Sequence, residues 1–204
     1  MILHIIRHGE TVYNAQKRLQ GQRNIPLNEQ GILQAEEAAR YLRDAGIVYD
    51  VIYSSPLARA YETAEILGRG MNAPLIRDAR LLEIGYGPYE GDPYEVLDEN
   101  MFAYFRDPDH TEPPEGVEPI AALEARTEAF LEEVREQDRD KEKVLVVTHG
   151  VAIRAMVRYF LNLTSAASWS YFIGNCCIYE TELADGKWEK FHLHKLFTRE
   201  TPAI

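Results

Sequence analysis

Two short apolar runs, far apart in the chain, share one form. Ile2, Leu3, Ile5 and Ile6 lead into Arg7-His8-Gly9, and Val144-Leu145-Val146-Val147 leads into Thr148-His149-Gly150. A nearly continuous apolar run that ends in turn-forming residues reads as a strand buried on both faces. Between these runs the period changes. Ile32, Ala35, Ala39 and Leu42 recur at helical spacing behind Asn28, a suitable N-cap, and continue to about Asp44 before Gly46. Residues 48 to 53 read as a second strand. Pro56 opens a helix striped by Leu57, Ala60, Ala64 and Leu67 and stopped by Gly68 and Gly70, and residues 75 and 76 form a short third strand. A long amphipathic helix is expected from about 119 to 137, a fourth strand at Val144 and another helix from about 151 to 161. Two closing strands, the first from 175 to 183, turn at Ala184-Asp185-Gly186. Strands that alternate with helices pair in parallel and take helices on both faces. The expected fold is therefore α/β, a three-layer α/β/α sandwich with a mostly parallel central sheet and a C-terminal hairpin, as one domain over 1–204.

Residues 85 to 119 break this pattern. They hold several Gly and Pro residues, the aromatics Tyr86, Tyr89, Tyr94, Phe102, Tyr104 and Phe105, and the acidic loop from 107 to 118. The segment reads as a small helical insertion whose aromatics pack on one another.

Composition narrows the function. A formal net charge of -11 argues against a general nucleic-acid or anionic-membrane surface, so an anionic substrate needs a local positive pocket. No apolar stretch has the length of a bilayer span, and Arg7 interrupts the first one, so a cytoplasmic protein is expected. The two cysteines are adjacent, Cys176-Cys177, in a stretch that reads as strand. Neighbours on a strand point to opposite faces, so two free thiols are expected rather than a bridge. His192 and His194 share one strand face, but no third ligand accompanies them and no metal is expected. There is no phosphate-binding Gly-x-x-x-x-Gly-Lys-Ser/Thr loop, His-Glu-x-x-His pair or Gly-x-Ser-x-Gly elbow, and the 85–91 glycines miss the dinucleotide spacing. No cofactor is called for.

The chemistry gathers at the strand ends. Open α/β sheets hold ligands at the carboxyl ends of their strands, and there Arg supplies a permanent planar fork for phosphate oxygens, His a nucleophilic ring and Gly close backbone approach. The full set is Arg7-His8-Gly9-Glu10-Thr11, Asn14, the stretch Ser54-Ser55-Pro56-Leu57-Ala58-Arg59-Ala60, Leu82-Glu83 with Gly85, Gly87 and Glu90-Gly91, and Thr148-His149-Gly150. In order and spacing, over residues 1 to about 180, this set resembles the histidine phosphatase superfamily, the phosphoglycerate mutase-like fold.

The resemblance implies His8 as a nucleophile that forms a phosphohistidine, with Arg7, Arg59 and His149 around the phosphate and Glu83 as the acid that protonates the leaving alcohol. Chemically, the nucleophile must be a neutral ring with one nitrogen held by a backbone acceptor, and two guanidinium groups with an imidazolium would neutralise the phosphoryl oxygens. Asn14 and the backbone near Gly150 are candidate further donors. Glu10 reads as a local hydrogen-bond partner and Glu90 as a stabiliser of the insertion, which caps the site in the resembling family. Gln20 and Gly21 line the substrate mouth in its phosphatases. The expected activity is a metal-independent phosphomonoesterase, a histidine acid-type phosphatase, for a small phosphorylated metabolite. The alternatives are a cofactor-dependent phosphoglycerate mutase, disfavoured by the short chain, by Tyr13 and by the Gln20-Gly21-Gln22-Arg23 loop, and a non-catalytic phosphate-binding module. A homo-oligomer is compatible with the sequence.

Overall fold

The structure is a computed structural model that describes residues 1–194, except the side chains of Lys190, Leu193 and His194. Its strands are β1 (Ile2–Arg7), β2 (Val51–Ser54), β3 (Leu75–Arg77), β4 (Lys143–Thr148), β5 (Ile178–Ala184) and β6 (Lys187–His194). Its helices are α1 (Val12–Ala15), α2 (Glu29–Asp44), α3 (Ala58–Leu67), α4 (Glu99–Arg106), α5 (Ile120–Gln137), α6 (Gly150–Leu161) and α7 (Ser165–Ser168). The strands form one sheet in the order β3-β2-β4-β1-β5-β6. The first four run parallel, and β5 and β6 are antiparallel.

The alternation of side chains along the strands sorts the core into two layers. Leu3, Ile5, Val144 and Val146 face Phe130, Leu131 and Val134 of α5 and Ile153, Met156 and Val157 of α6. Ile6, Leu145, Val147 and Ile52 face the other way, onto Ala35, Ala38, Ala39 and Leu42 of α2 and Ala60, Ala64 and Leu67 of α3. Small alanines on α2 and α3 let those helices lie close to the sheet. The expected sandwich is present, and the Asn28 side chain caps α2 by accepting from the Gly31 N–H at 2.8 Å. The hairpin turns on Asp185 and Gly186, both at positive φ, 49° and 75°, as a two-residue turn with the twist of its strands requires.

Two strand boundaries differ from the sequence reading. The second strand starts at Val51, not 48: Val48 is exposed, Tyr49 turns inward to bond His4 at 2.7 Å, and the Asp50 carboxylate accepts from the Glu142 and Lys143 N–H groups. The fifth starts at Ile178, not 175, because residues 174–177 turn, with Cys176 at φ 54° and the Cys177 N–H on the Gly174 carbonyl. The two cysteines are nonetheless not bridged to each other and are buried in opposite layers, Cys176 with α2 and α3 and Cys177 with α5 and α6.

The segment from 85 to 119 consists of short 3-10 turns and α4, packed as a third apolar cluster. Tyr86, Leu97, Met101, Tyr104 and Val117 meet Val151, Ala152 and Ala155 near the start of α6. Tyr86, Phe105 and Trp169 form an edge-to-face and tilted chain. No helix among the described residues is long and apolar enough to cross a membrane.

Candidate active site

Parallel pairing of β1 with β4 sets Arg7 opposite Thr148, so the residues that follow, His8 and His149, leave the sheet side by side. Their rings lie 5.2 Å apart, centroid to centroid, at 60°. Each ring is fixed at both nitrogens. His8 Nδ1 lies 2.7 Å from the Gly9 carbonyl; since a carbonyl only accepts, Nδ1 carries the proton and Nε2 keeps its lone pair. His149 Nε2 lies 2.7 Å from Ser55 Oγ. One N–H, Arg59 Nε–H, points between the two lone pairs, 3.3 Å from His8 Nε2 and 3.2 Å from His149 Nδ1.

Arg59 is wholly buried and held by backbone. Its two terminal nitrogens donate to the Arg23 and Gly21 carbonyls, both at 2.7 Å. Burial pushes its pKa down to about 10, which leaves it a cation at neutral pH. Burial, then Arg59 and Arg7, hold His8 well below the ordinary histidine range. His149 is lowered likewise by burial, then by Arg59, His8 and Arg7. Both rings are therefore held toward the neutral form.

Arg7 gives one N–H to the Ile173 carbonyl at 2.6 Å, while its buried Nε has no hydrogen-bond partner. Glu83 is buried rather than exposed on a loop. Its Oε1 accepts from the Ile84, Val151 and Ala152 N–H groups, and its Oε2 from Val151 alone, at 3.1 to 3.2 Å. Glu83 thus occupies the start of α6, so the expectation that this backbone is open to phosphate is corrected at Val151 and Ala152. Gly150 lies between the two side chains: a Cβ there would lie 3.7 Å from Arg7 Cζ and 3.8 Å from Glu83 Oε2.

The pattern for the histidine phosphatase superfamily, branch 1, matches residues 3–194. The chain belongs to that superfamily. It is 35% identical over 184 residues to an uncharacterized phosphatase PhoE of Bacillus subtilis, covering 90% of this chain and 89% of the relative. It is 31% identical over 190 residues to a probable phosphoglycerate mutase GpmB of Yersinia pestis, covering 91% and 86%. Among solved structures, it is similar to a phosphoserine phosphatase mutant from Entamoeba histolytica in complex with phosphoserine. That match has a TM-score of 0.80 and 28% identity over 93% of this chain and 95% of the other.

In this histidine phosphatase chain, His8, Arg7, Arg59, Glu83, His149 and Gly150 converge at the ends of β1 and β4. Asn14 and Gln20 do not touch the imidazoles; both are tied to Thr11, whose hydroxyl lies 3.1 Å from Asn14 Oδ1 and 2.8 Å from Gln20 Oε1. Gly21, at φ 53°, leaves room for Glu90 and gives its carbonyl to Arg59. Glu10 receives Asn28, and Glu90 receives the Gln22 and Tyr86 N–H groups, both local supports as read from the sequence. His192 pairs with Glu180 at 3.3 Å, and the side chain of His194 lies outside the described residues.

The supporting residues were less visible. Ser55, within the 54–60 stretch, orients His149. Thr63 receives the Gly9 N–H and donates to the Arg59 carbonyl, Asn175 donates to the His8 carbonyl, and Arg126 donates to the Arg80, Leu82 and Glu83 carbonyls. Gly9 also packs so tightly on Gly31 that a Cβ on either would overlap backbone, that of Gly31 or of Glu10.

Proposed function

We propose that this protein is a metal-independent phosphomonoesterase that hydrolyses a small phosphorylated metabolite through a phosphohistidine on His8. The observation that carries the reading is the His8 ring: its Nδ1 proton is committed to Gly9, which leaves the lone pair on Nε2, where it meets the Arg59 Nε–H beside the His149 ring. The His8 Nε2 lone pair attacks phosphorus as the P–O ester bond breaks, and the Glu83 carboxyl delivers its proton to the departing alcohol oxygen. Water then attacks phosphorus, gives a proton back to Glu83, and releases His8 and inorganic phosphate.

Arg7 and Arg59 hold the phosphoryl oxygens, and the unpartnered Nε of Arg7 is a donor awaiting an acceptor. His149 Nδ1 bonds an oxygen only with a proton on one side of the contact, so either a monoanionic phosphate supplies it or the incoming anion raises the ring's affinity for it. The two buried, unbridged thiols fit a reducing cytoplasm.

Rapid quenching of wild type with 32P-labelled phosphoserine tests the reading. Label on the protein is expected to be acid-labile and base-stable, and His8→Ala is expected to carry none and to lose p-nitrophenyl phosphate turnover by about 10⁴-fold or more. Acid-stable label, or label on His8→Ala, overturns the nucleophile. The 31% likeness to a probable mutase supports a second reading, and phosphate release separates the two: isomerised phosphoglycerate without inorganic phosphate would make this a mutase.

A further inference from the structure

The backbone that carries Glu83 has no regular structure to hold it. Glu83 follows a 3-10 turn over Ala79–Leu81 and lies outside every strand and helix, so no ladder fixes the carbonyls around it. Side chains do so instead. Arg126, in α5, gives one terminal nitrogen to the Arg80 and Leu82 carbonyls, at 2.7 and 2.6 Å, and the other to the Glu83 carbonyl at 3.0 Å. Thr148, at the end of β4, donates to the Leu81 carbonyl at 2.7 Å. Every carbonyl from 80 to 83 is thus held by a side chain.

The rest of the Arg126 guanidinium goes to one carboxylate. Nε donates to Glu118 Oε1 at 2.8 Å and a terminal nitrogen to Glu118 Oε2 at 3.1 Å, with each side chain only 19% exposed. All five N–H groups of the arginine are then spent. Glu118 in turn closes the base of the 85–119 segment: its Oε2 accepts from the Gly85 N–H at 2.9 Å, and its own N–H donates to the Gly85 carbonyl at 2.7 Å. The chain is therefore held on both sides of the acid, through residue 83 by Arg126 and at residue 85 by the counter-ion of Arg126. A planar fork with fixed directions can span these acceptors, and a point charge cannot.

We propose that Arg126 and Glu118 are positioning residues for the proton donor, and that the pair sets where the Glu83 carboxyl meets the leaving oxygen. The proposal rests on Glu83 being the acid of the phosphatase reading. The bonds from Ile84 and the start of α6 hold the carboxylate end of the side chain; Arg126 and Glu118 hold its backbone end. An acid acts only within hydrogen-bond reach of the atom it protonates, and misplacement by about 1 Å costs up to about a hundredfold.

The test is kcat/KM over a series of aryl and alkyl phosphates of rising leaving-group pKa. A working proton donor flattens the dependence on that pKa, and its loss steepens it. Arg126→Gln is expected to lower kcat/KM about tenfold or more on glycerol phosphate and less than about threefold on p-nitrophenyl phosphate. Glu118→Gln, which keeps the carbonyl bonds of Arg126, is expected to steepen the dependence less, and Arg126→Lys to restore only part of the loss. In a Glu83→Gln background, Arg126→Gln is expected to cost less than about threefold more on glycerol phosphate, because the group it acts through is gone. The same loss in both backgrounds, or equal losses on both esters, makes the pair a support of the fold alone and overturns the proposal. Glu118→Gln carries the test where Arg126→Gln fails to fold. A dependence that steepens in Glu83→Gln but in neither partner variant overturns the proposal and spares the acid; a dependence that Glu83→Gln leaves unchanged overturns both.

Discussion

The floor of the site, at the ends of β1 and β4, and the segment from 85 to 119 are built on different physics. On the floor, each ring nitrogen of His8 and His149 has a named partner within 3.3 Å, and the backbone that carries them is pinned by the β1–β4 ladder and by Asn175. In the segment, Tyr86, Leu97, Met101, Tyr104 and Phe105 are joined by apolar contact, and the turns between them depend on left-handed glycines such as Gly87 and Gly116. Hydrogen bonds fix direction; apolar packing fixes only volume. The floor therefore suits a reaction that needs the same geometry for every substrate.

The sharpest way to break this contrast is to disable the floor. Glu83→Gln should lower kcat/KM on alkyl phosphates by about 10²–10⁴-fold, the usual worth of a positioned acid, and lower it much less on p-nitrophenyl phosphate, whose leaving group needs no proton. Paired assays with glycerol phosphate read this. Equal losses on both would leave Glu83 as a cap for α6 only.

Disturbing the 85–119 segment should give the opposite profile. Met101, 0% exposed, sits in the apolar cluster away from the imidazoles. Met101→Ala should cost about 2–5 kcal/mol of stability in chemical denaturation, while p-nitrophenyl phosphate turnover of the folded protein stays within about threefold. A hundredfold loss of turnover would mean that the packed segment also sets floor geometry.

The smallest effect is one of pH. His8 and His149 are held neutral by burial and by the arginines, whereas unfolded histidine takes a proton near pH 6.5. Below that pH the unfolded chain binds more protons at these sites, so stability falls as pH drops from about 7 toward the depressed folded values. Exposed His110, raised by Asp107, works the other way. Denaturation midpoints at pH 7.5 and 5.5 should fall less for His149→Asn than for wild type, and saturating inorganic phosphate should shrink the wild-type drop. An equal drop in wild type and variant would show that the ring is not held neutral.

The contrast also explains what could be read from the chain alone. The residues of the floor stand at the ends of apolar runs, and each run is a local signal: β1 announces Arg7 and His8, β4 announces His149, and α2 and α3 carry their stripes in sequence. The partners that orient those residues do not. Ser55 meets His149 across 94 positions, Asn175 meets His8 across 167, and Arg126 meets Glu83 across 43. Single polar residues have no period, and only the folded topology brings them home. The strand starts at 51 and 178 differ from those the apolar pattern predicts, 48 and 175, for a related reason, since apolar residues continue through Val48 and Cys176-Cys177 while side-chain bonds and a turn end the ladder sooner.

The Gly9–Gly31 contact extends the site beyond its own walls. Gly9 supplies the carbonyl that decides which nitrogen of His8 bears the proton, and Gly9 rests directly on the first turn of α2. Any side chain at position 31 would press on the Glu10 backbone, next to that carbonyl. The choice of tautomer at the nucleophile is thus governed in part by a residue with no functional group, and position 31 acts on the reaction through the space it leaves empty.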